Sequence, residues 1–419
     1  MARDFFTLDD FDLRGKTVLL RVDINVPLDP ATGHILNDAR IREHLGTVRD
    51  LAEAKVAVMA HQSRPGKDDF TNLEAHAERM SALLGKPVAH IDSLYGRHAI
   101  EAIGALRPGD VILLENTRFY SEEEALADAP FEKQAKTQIV QRLAPHADLF
   151  VLDAFAAAHR AQPSLVGFCE VLPTLAGRVV EKELTMLNEA MHSEAQPKLA
   201  VFGGVKADDS VSVTQHMLAS GLADRVLTTG GVASLFLAAR GVRLGRPTEE
   251  FLRRELKGYD GLMAGCRDIL ERYPGKVAVP VDVAVNDGGH RKEIPVSALP
   301  ADRQIVDIGL ETIASYAGEI GRARTIVLNG PAGVFELDEF SVGTRELFRA
   351  IAEADAFTVA GGGHTVAVIE ELGLATSFDH LSTGGRALIN FLAGKELPLV
   401  TALRRSFAKF GTERGEPVR

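Results

Sequence analysis

Short apolar, β-branched runs alternate with longer stretches in which apolar residues recur every three to four positions, and this alternation runs from end to end. The runs in the first half are Val18–Ile24, Lys55–Ala60, Val111–Glu115 and Leu149–Asp153. Those in the second are Leu199–Phe202, Val226–Thr229, Val277–Val283, Thr325–Leu328 and Phe357–Ala360. Near-continuous apolar runs suit strands covered on both faces, hence parallel sheets flanked by helices. The pattern predicts an α/β chain with two doubly wound parallel-sheet (Rossmann-like) domains, joined by a helix, with a cleft between them. The joining helix is read over Arg178–His192, where Leu184, Leu187 and Met191 fall at helical spacing, and Gln196-Pro197 ends it. The expected divisions are 1–177, 178–196, 197–396 and 397–419. Periodicity leaves open which domain the last segment completes.

A length of 419 residues favours two domains over one core. The formal charge of -11 argues against general nucleic-acid binding, yet leaves room for a local basic pocket. Cys169 and Cys266 stand far apart with no metal-ligand spacing, as expected of small apolar fillers in a reducing compartment. The chain begins without a signal pattern, and no apolar run approaches the roughly 18 residues of a membrane span. A cytoplasmic location, no membrane partner and no nucleic-acid partner are expected.

Ligands of open α/β sheets lie beyond the carboxyl ends of the strands, so the residues following each strand are the informative ones. In the first half these are Arg21-Val22-Asp23-Ile24-Asn25, His61-Gln62-Ser63-Arg64-Pro65, Glu115-Asn116-Thr117-Arg118 and Asp153-Ala154-Phe155, with Arg40 in the loop after the first strand and His159-Arg160 after the last. Several guanidinium forks at neighbouring strand ends suit a ligand with more than one carboxylate or phosphate. In the second half the strand ends carry glycine: Gly203-Gly204-Val205-Lys206, Gly230-Gly231, Asn329-Gly330-Pro331, Gly361-Gly362-Gly363-His364-Thr365 and Ser382-Thr383-Gly384-Gly385. Glycine at a strand-to-helix turn lets backbone N–H groups approach a phosphate in front of a helix N-terminus. Phosphoryl transfer between a nucleotide and a small acidic metabolite is the activity these two kinds of strand end suggest. Standard nucleotide motifs are absent. Gly15-Lys16-Thr17 precedes a strand with Asp10 at the first glycine of a P-loop, and Val366 interrupts a dinucleotide fingerprint.

Taken together, the segments Arg21-Val22-Asp23-Ile24-Asn25-Val26-Pro27, Leu114-Glu115-Asn116-Thr117-Arg118-Phe119 and Asp153–Arg160 resemble substrate-side signatures of the phosphoglycerate kinases. Asn329-Gly330-Pro331-Ala332-Gly333-Val334-Phe335-Glu336 and Ser382-Thr383-Gly384-Gly385 resemble nucleotide-side ones. The resemblance implies exchange of a phosphoryl group between 1,3-bisphosphoglycerate and ADP, giving 3-phosphoglycerate and ATP, with Mg²⁺ accompanying the nucleotide. It implies that Asp23, Asn25, Arg40, His61, Arg64, Arg118 and Arg160 hold the phosphoglycerate. Arg40, Lys206, Gly363 and Gly385 would serve the transfer itself. Lys206, Gly230, Gly231, Asn329, Glu336, Gly361, Gly362, Gly363, Thr365 and Gly384 would surround the nucleotide, Glu336 at the ribose hydroxyls. It also implies that 397–419 packs back on the first domain, and the chain is expected as a monomer or small homo-oligomer.

Val205 stands for an alanine of the commoner family pattern, and three further positions depart from it: Ser210 for a second lysine, His364 for an aspartate that meets the metal, and Arg386 for a glycine. No metal ligand is therefore named. With the Ala156-Ala157-Ala158 run, Ser210 and His364 look more like archaeal members. The same departures motivate an alternative, a non-catalytic nucleotide and phosphoglycerate binder on the same scaffold. A nicotinamide dehydrogenase rests on fold analogy alone.

Overall fold

The computed structural model describes residues 3–205 and 207–413. They form two compact units, one built from the chain up to Leu184 together with the segment from Glu396, the other from Thr185–Lys395.

The first unit is organised on seven strands: β1 (Phe6–Thr7), β2 (Thr17–Arg21), β3 (Lys55–Met59), β4 (Val88–Ile91), β5 (Val111–Leu114), β6 (Leu149–Leu152) and β7 (Thr174–Ala176). Their order is β1-β7-β6-β2-β3-β5-β4, every pair parallel. After β2 the chain turns to β3 on one side and later returns to β6 on the other, which opens a switch point at the carboxyl end of β2. Val18, Leu20, Val56, Val58, Leu113 and Val151 form the core beside it. The helix Ala39–Asp50 lays Ile41, Leu45 and Val48 on this core, an i, i+4, i+7 stripe, and so fixes Arg40 and His44 near the end of β2. Each such side chain contributes about 1.5–3 kcal/mol on burial.

The terminal helix Pro398–Glu413 belongs to this unit. Thr174 N–H on β7 donates to Ser406 Oγ at 2.7 Å, and the Phe407 ring packs 4.8 Å from that of Phe6. The helix Arg178–His192 carries the chain from the first unit into the second.

The second unit has a parallel sheet of β8 (Lys198–Phe202), β9 (Arg225–Thr228), β10 (Val277–Ala278), β14 (Thr325–Asn329), β15 (Phe357–Gly361) and β16 (His380–Ser382), in the order β10-β9-β8-β14-β15-β16. Its switch point lies between β8 and β14. A separate antiparallel sheet of β11 (Asp282–Asp287), β12 (His290–Pro295) and β13 (Ile305–Ile308) has the order β12-β11-β13.

The fold is α/β with two doubly wound parallel sheets, but three expectations need correction. The single strand Val277–Val283 is two: the chain breaks around Pro280, leaving β10 as a short edge strand and starting β11 in the other sheet. A strand over Val18–Ile24 ends at Arg21, so Val22–Ile24 leave the ladder and turn over the sheet's end. An all-parallel second half is replaced by a mixed one, because β12, His290-Arg291-Lys292-Glu293-Ile294-Pro295, alternates in exposure and presents no apolar run. No helix among the described residues is long and apolar enough to cross a membrane.

Candidate active site

In the first unit the polar strand ends meet at the carboxyl edge of β6-β2-β3-β5. Asp23 is buried, and its Oδ1 accepts from Asn25 N–H at 3.1 Å and pairs with Arg40 NH1 at 3.3 Å. Burial opposes ionisation of Asp23, but Arg40, Arg21 and the Asn25 N–H outweigh it and hold the carboxyl well below the usual range. Asn25 Oδ1 in turn accepts from Ser63 N–H at 2.8 Å, which joins the loop after β2 to the loop after β3. Arg118 donates to Ser63 C=O and pairs with Glu124 at 2.9 Å. Burial, then the positive charge of Arg160, lowers the Arg118 pKa. Two half-buried guanidinium groups repelling one another mark a place for an anion. Arg160 NH1 is buried with no hydrogen-bond partner, a donor aimed at something the protein does not itself supply. Arg64 is exposed on the His61–Pro65 loop.

His61 is held from behind by Arg21 of its neighbouring strand end and by two residues outside any strand-end segment, Ser164 and Glu123. Arg21 is fully buried; it donates through Nε to Ser164 Oγ at 3.0 Å and lies with NH2 3.0 Å from His61 Nδ1. Ser164 is itself anchored to Glu123, its N–H donating to Oε2 at 3.0 Å. Guanidinium only donates, so His61 Nδ1 accepts and the ring carries its hydrogen on Nε2. Burial, with Arg21, Arg118 and Arg160, pushes the His61 pKa far down, so it serves as a neutral donor. No signal in the sequence marks Ser164 or Glu123, which lie 143 and 41 residues from their partners.

Gln62 and His76 lie beneath this edge. Gln62 exchanges hydrogen bonds with Val26, and its Oε1 is 3.1 Å from His76 Nε2, while His76 Nδ1 is buried without a partner. Burial lowers the His76 pKa to about 4. A histidine depressed in the folded state binds fewer protons there than when unfolded, so its contribution is complete above the unfolded value near 6.5 and is lost as pH falls to 4. Urea unfolding is expected to show stability dropping by roughly 3 kcal/mol across that window from this group alone. His76→Gln should flatten the drop; an unchanged slope in the variant would refute the assignment.

In the second unit the glycine turns line a cavity of about 810 Å³. Gly203 and Gly204 after β8 and Asn329-Gly330-Pro331 after β14 cross at the switch point, with Gly203 N–H donating to Asn329 C=O at 2.9 Å and Gly204 N–H to Pro331 C=O at 2.8 Å. There is no room for side chains: a Cβ on Gly203 would lie 2.3 Å from Pro331 O, and one on Gly330 2.2 Å from Gly203 O. Gly230, Gly231, Glu336, Gly362, Gly363, Thr365 and Gly385 also line the cavity. Gly363 and Thr365 open the helix Gly363–Glu371, whose first N–H groups have no partner within the helix. The Thr365 hydroxyl accepts from Gly330 N–H at 2.8 Å, tying two of the turns together.

Two expected members stand behind the wall instead of in it. A Cβ on Gly361 would strike Leu388 at 1.9 Å, and Gly384 N–H is taken by Ser382 Oγ at 3.1 Å. Both serve packing and turn geometry. Lys206 lies outside the described residues. His364 and Arg386 are exposed at the cavity rim, and Ser210 is buried. The apolar wall is Leu237, Phe251, Leu252, Val283, Ile305 and Phe340. Part of it comes from the antiparallel sheet that the apolar pattern did not reveal.

Comparison with known proteins agrees with both halves. The family model described as phosphoglycerate kinase matches residues 8–395. A phosphoglycerate kinase from Methanosarcina mazei is 49% identical over 98% of this chain and 97% of its own length, and one from Thermoplasma volcanium is 44% identical over 96% and 98%. The crystal structure of phosphoglycerate kinase from Pyrococcus horikoshii OT3 superposes with a TM-score of 0.87 at 43% identity, covering 97% of this chain and all of that one. The named relatives are mostly archaeal, in line with the archaeal character of Ser210, His364 and the Ala156–Ala158 run. A basic edge on one doubly wound sheet, a glycine-lined cavity on the other and identity along nearly the whole length lead to one conclusion: the chain belongs to the phosphoglycerate kinase family.

Proposed function

We propose that the chain catalyses reversible phosphoryl transfer from 1,3-bisphosphoglycerate to ADP, giving 3-phosphoglycerate and ATP in glycolysis and gluconeogenesis, with the residues named above dividing the work. The observation that carries the assignment of roles is Arg160, a half-buried guanidinium whose buried NH1 is unsatisfied, near Arg118 and beside the pair of Arg40 and Asp23. These groups, with Asn25, His61 and Arg64, hold the phosphorylated acid. Gly230, Gly231, Asn329, Glu336, Gly362, Gly363, Thr365 and Gly385 receive the nucleotide. Lys206 serves the transferring group.

A bond forms from an ADP β-phosphate oxygen to phosphorus while the bond to the acyl oxygen breaks, leaving the carboxylate. The nucleophile is already anionic, so no general base is required. Charge on the three equatorial oxygens is the quantity to stabilise, by Arg40 and by backbone N–H groups at the head of Gly363–Glu371. Direct transfer needs both substrates within bonding distance, so a movement that brings them together is part of the reading.

No group of three or more His, Cys, Asp or Glu side chains able to hold a metal occurs among the described residues. Mg²⁺ that arrives with a nucleotide needs only one or two protein oxygens. Among the described residues three carboxylates, Asp209, Asp307 and Glu336, line the cavity. Asp307 is committed to Arg291 NH1 at 2.6 Å and to Gly343 N–H at 2.7 Å, and Glu336 is read as the ribose partner. Of these three, Asp209 is the one free to meet the ion, which would neutralise phosphate charge. A cytoplasmic setting follows from the same reading.

A coupled assay is expected to show ATP consumption that depends on both 3-phosphoglycerate and Mg²⁺. Binding of both substrates with no turnover would instead establish the non-catalytic alternative. The relatives' shared name does not favour that outcome.

A further inference from the structure

A run of buried hydrogen bonds leads from the backbone of Asp23 to the head of the helix Arg178–His192. His44 lies one turn after Arg40 on the helix Ala39–Asp50 and is 4% exposed. Its Nδ1 is 2.9 Å from Asp153 Oδ2, and because a carboxylate only accepts, Nδ1 carries hydrogen. Its Nε2 lies 3.2 Å from Asp23 N and 3.1 Å from Asp23 O. The neutral ring accepts from the amide, and the charged ring donates to the carbonyl, so Asp23 offers a partner in either state. Burial opposes charge on this ring, while Asp153, Glu43 and Asp23 favour it and raise its pKa.

Asp153 is fully buried and spends its remaining capacity on the helix head. Oδ1 accepts from Val179 N–H at 2.9 Å; Oδ2 also accepts from the Thr47 hydroxyl at 2.7 Å, whose oxygen accepts from Arg178 N–H at 3.0 Å. The first N–H groups of a helix have no partner of their own, and here two of them depend on Asp153 and Thr47. A Cβ on Gly177 would lie 2.3 Å from Asp153 Oδ1, so the chain enters the helix against that carboxylate.

We propose that His44 is a positioning residue: through Asp153 it ties the acid-binding loop at Asp23 to the head of the helix by which the chain leaves the first unit, so that binding of the phosphorylated acid firms that head. This rests on the reading of Asp23 and Arg40 as acid-binding groups. A ligand that fixes Arg40 and the Asp23 carboxylate fixes the Asp23 peptide, and the ring transmits the restraint because Nδ1 and Nε2 point to opposite ends of the path.

His44→Asn tests it, because the shorter amide keeps a donor near the Nδ1 position for Asp153 and loses only the reach to Asp23. Amide hydrogen exchange would be followed by NMR in the full chain, with and without 3-phosphoglycerate, alongside separate KM values for both substrates. In the parent, 3-phosphoglycerate is expected to slow exchange at Asn25, Ser63, Val179 and Val180. In His44→Asn the slowing at Asn25 and Ser63 should persist, while that at Val179 and Val180 disappears. KM for 3-phosphoglycerate should rise roughly tenfold with KM for ATP unchanged. His44→Gln, which reaches toward Asp23, should recover part of the affinity. Slowing at Val179 and Val180 that is absent in the parent, or equal in parent and His44→Asn, overturns the proposal, as does an equal rise in both KM values. No protection anywhere, Asn25 and Ser63 included, overturns the acid-binding reading and this proposal with it.

Discussion

Replacing Arg40 with alanine is expected to lower kcat by roughly three orders of magnitude while ATP affinity, measured by calorimetry, stays within about twofold. The side chain is 42% exposed and pairs with Asp23 at 3.3 Å, so most of it faces solvent and the core does not rest on it. Only the Arg40 end is open to solvent, whereas Asp23 is buried, so removing Arg40 should lower the unfolding midpoint modestly and still leave the chain folded. Its value lies in the fork of donors it presents beside Asp23. Arg40→Lys keeps the charge without the fork and should recover only part of the rate. A variant that keeps more than a tenth of the parent kcat would remove Arg40 from the transferring group.

Gly330→Ala is expected to be the most damaging single change in the nucleotide half. Gly330 sits at φ +93°, where a side chain is strained, and the new Cβ would stand 2.2 Å from Gly203 O, a backbone atom that has no rotamer to escape into. The left-handed backbone and the clash each cost about 1–3 kcal/mol, so a loss of roughly 3 kcal/mol or more in urea unfolding is expected. The same methyl would part the β8 and β14 turns that line the cavity, weakening ATP by about a hundredfold. A stable variant that binds ATP normally would show that the crossing of these two turns does not shape the site.

The strand ends were legible because burial on both faces writes a parallel strand as an apolar run, and the polar residues that follow are conspicuous against it. The same rule hid the antiparallel sheet. β12 has one wet face and reads as charged surface, although Gly288-Gly289, both at positive φ, mark the two-residue turn that pairs it with β11. The nucleotide pocket's apolar wall was lost with the sheet. Arg21 stands within a legible motif, yet its task behind His61 is hidden in the sequence, because Ser164 lies 143 residues away and only the fold brings them together. His44 and Thr47 look like ordinary helix positions, and their link to Asp153 spans more than a hundred residues. Gly361 and Gly384 carry the expectation of nucleotide contact because glycine at a strand end has two uses, room for a ligand and room for a neighbour, which a sequence does not separate.

The terminal helix Pro398–Glu413 gives the molecule an unusual order of assembly. Residues 185–395 are an insertion within the first unit, contiguous and able to close their own sheets as soon as they have been synthesised. The first unit, although made earlier, waits for Ser406 to meet Thr174 and for Phe407 to cover Phe6. During translation the half that starts first is therefore the half that finishes last, with an uncovered apolar edge in the interval.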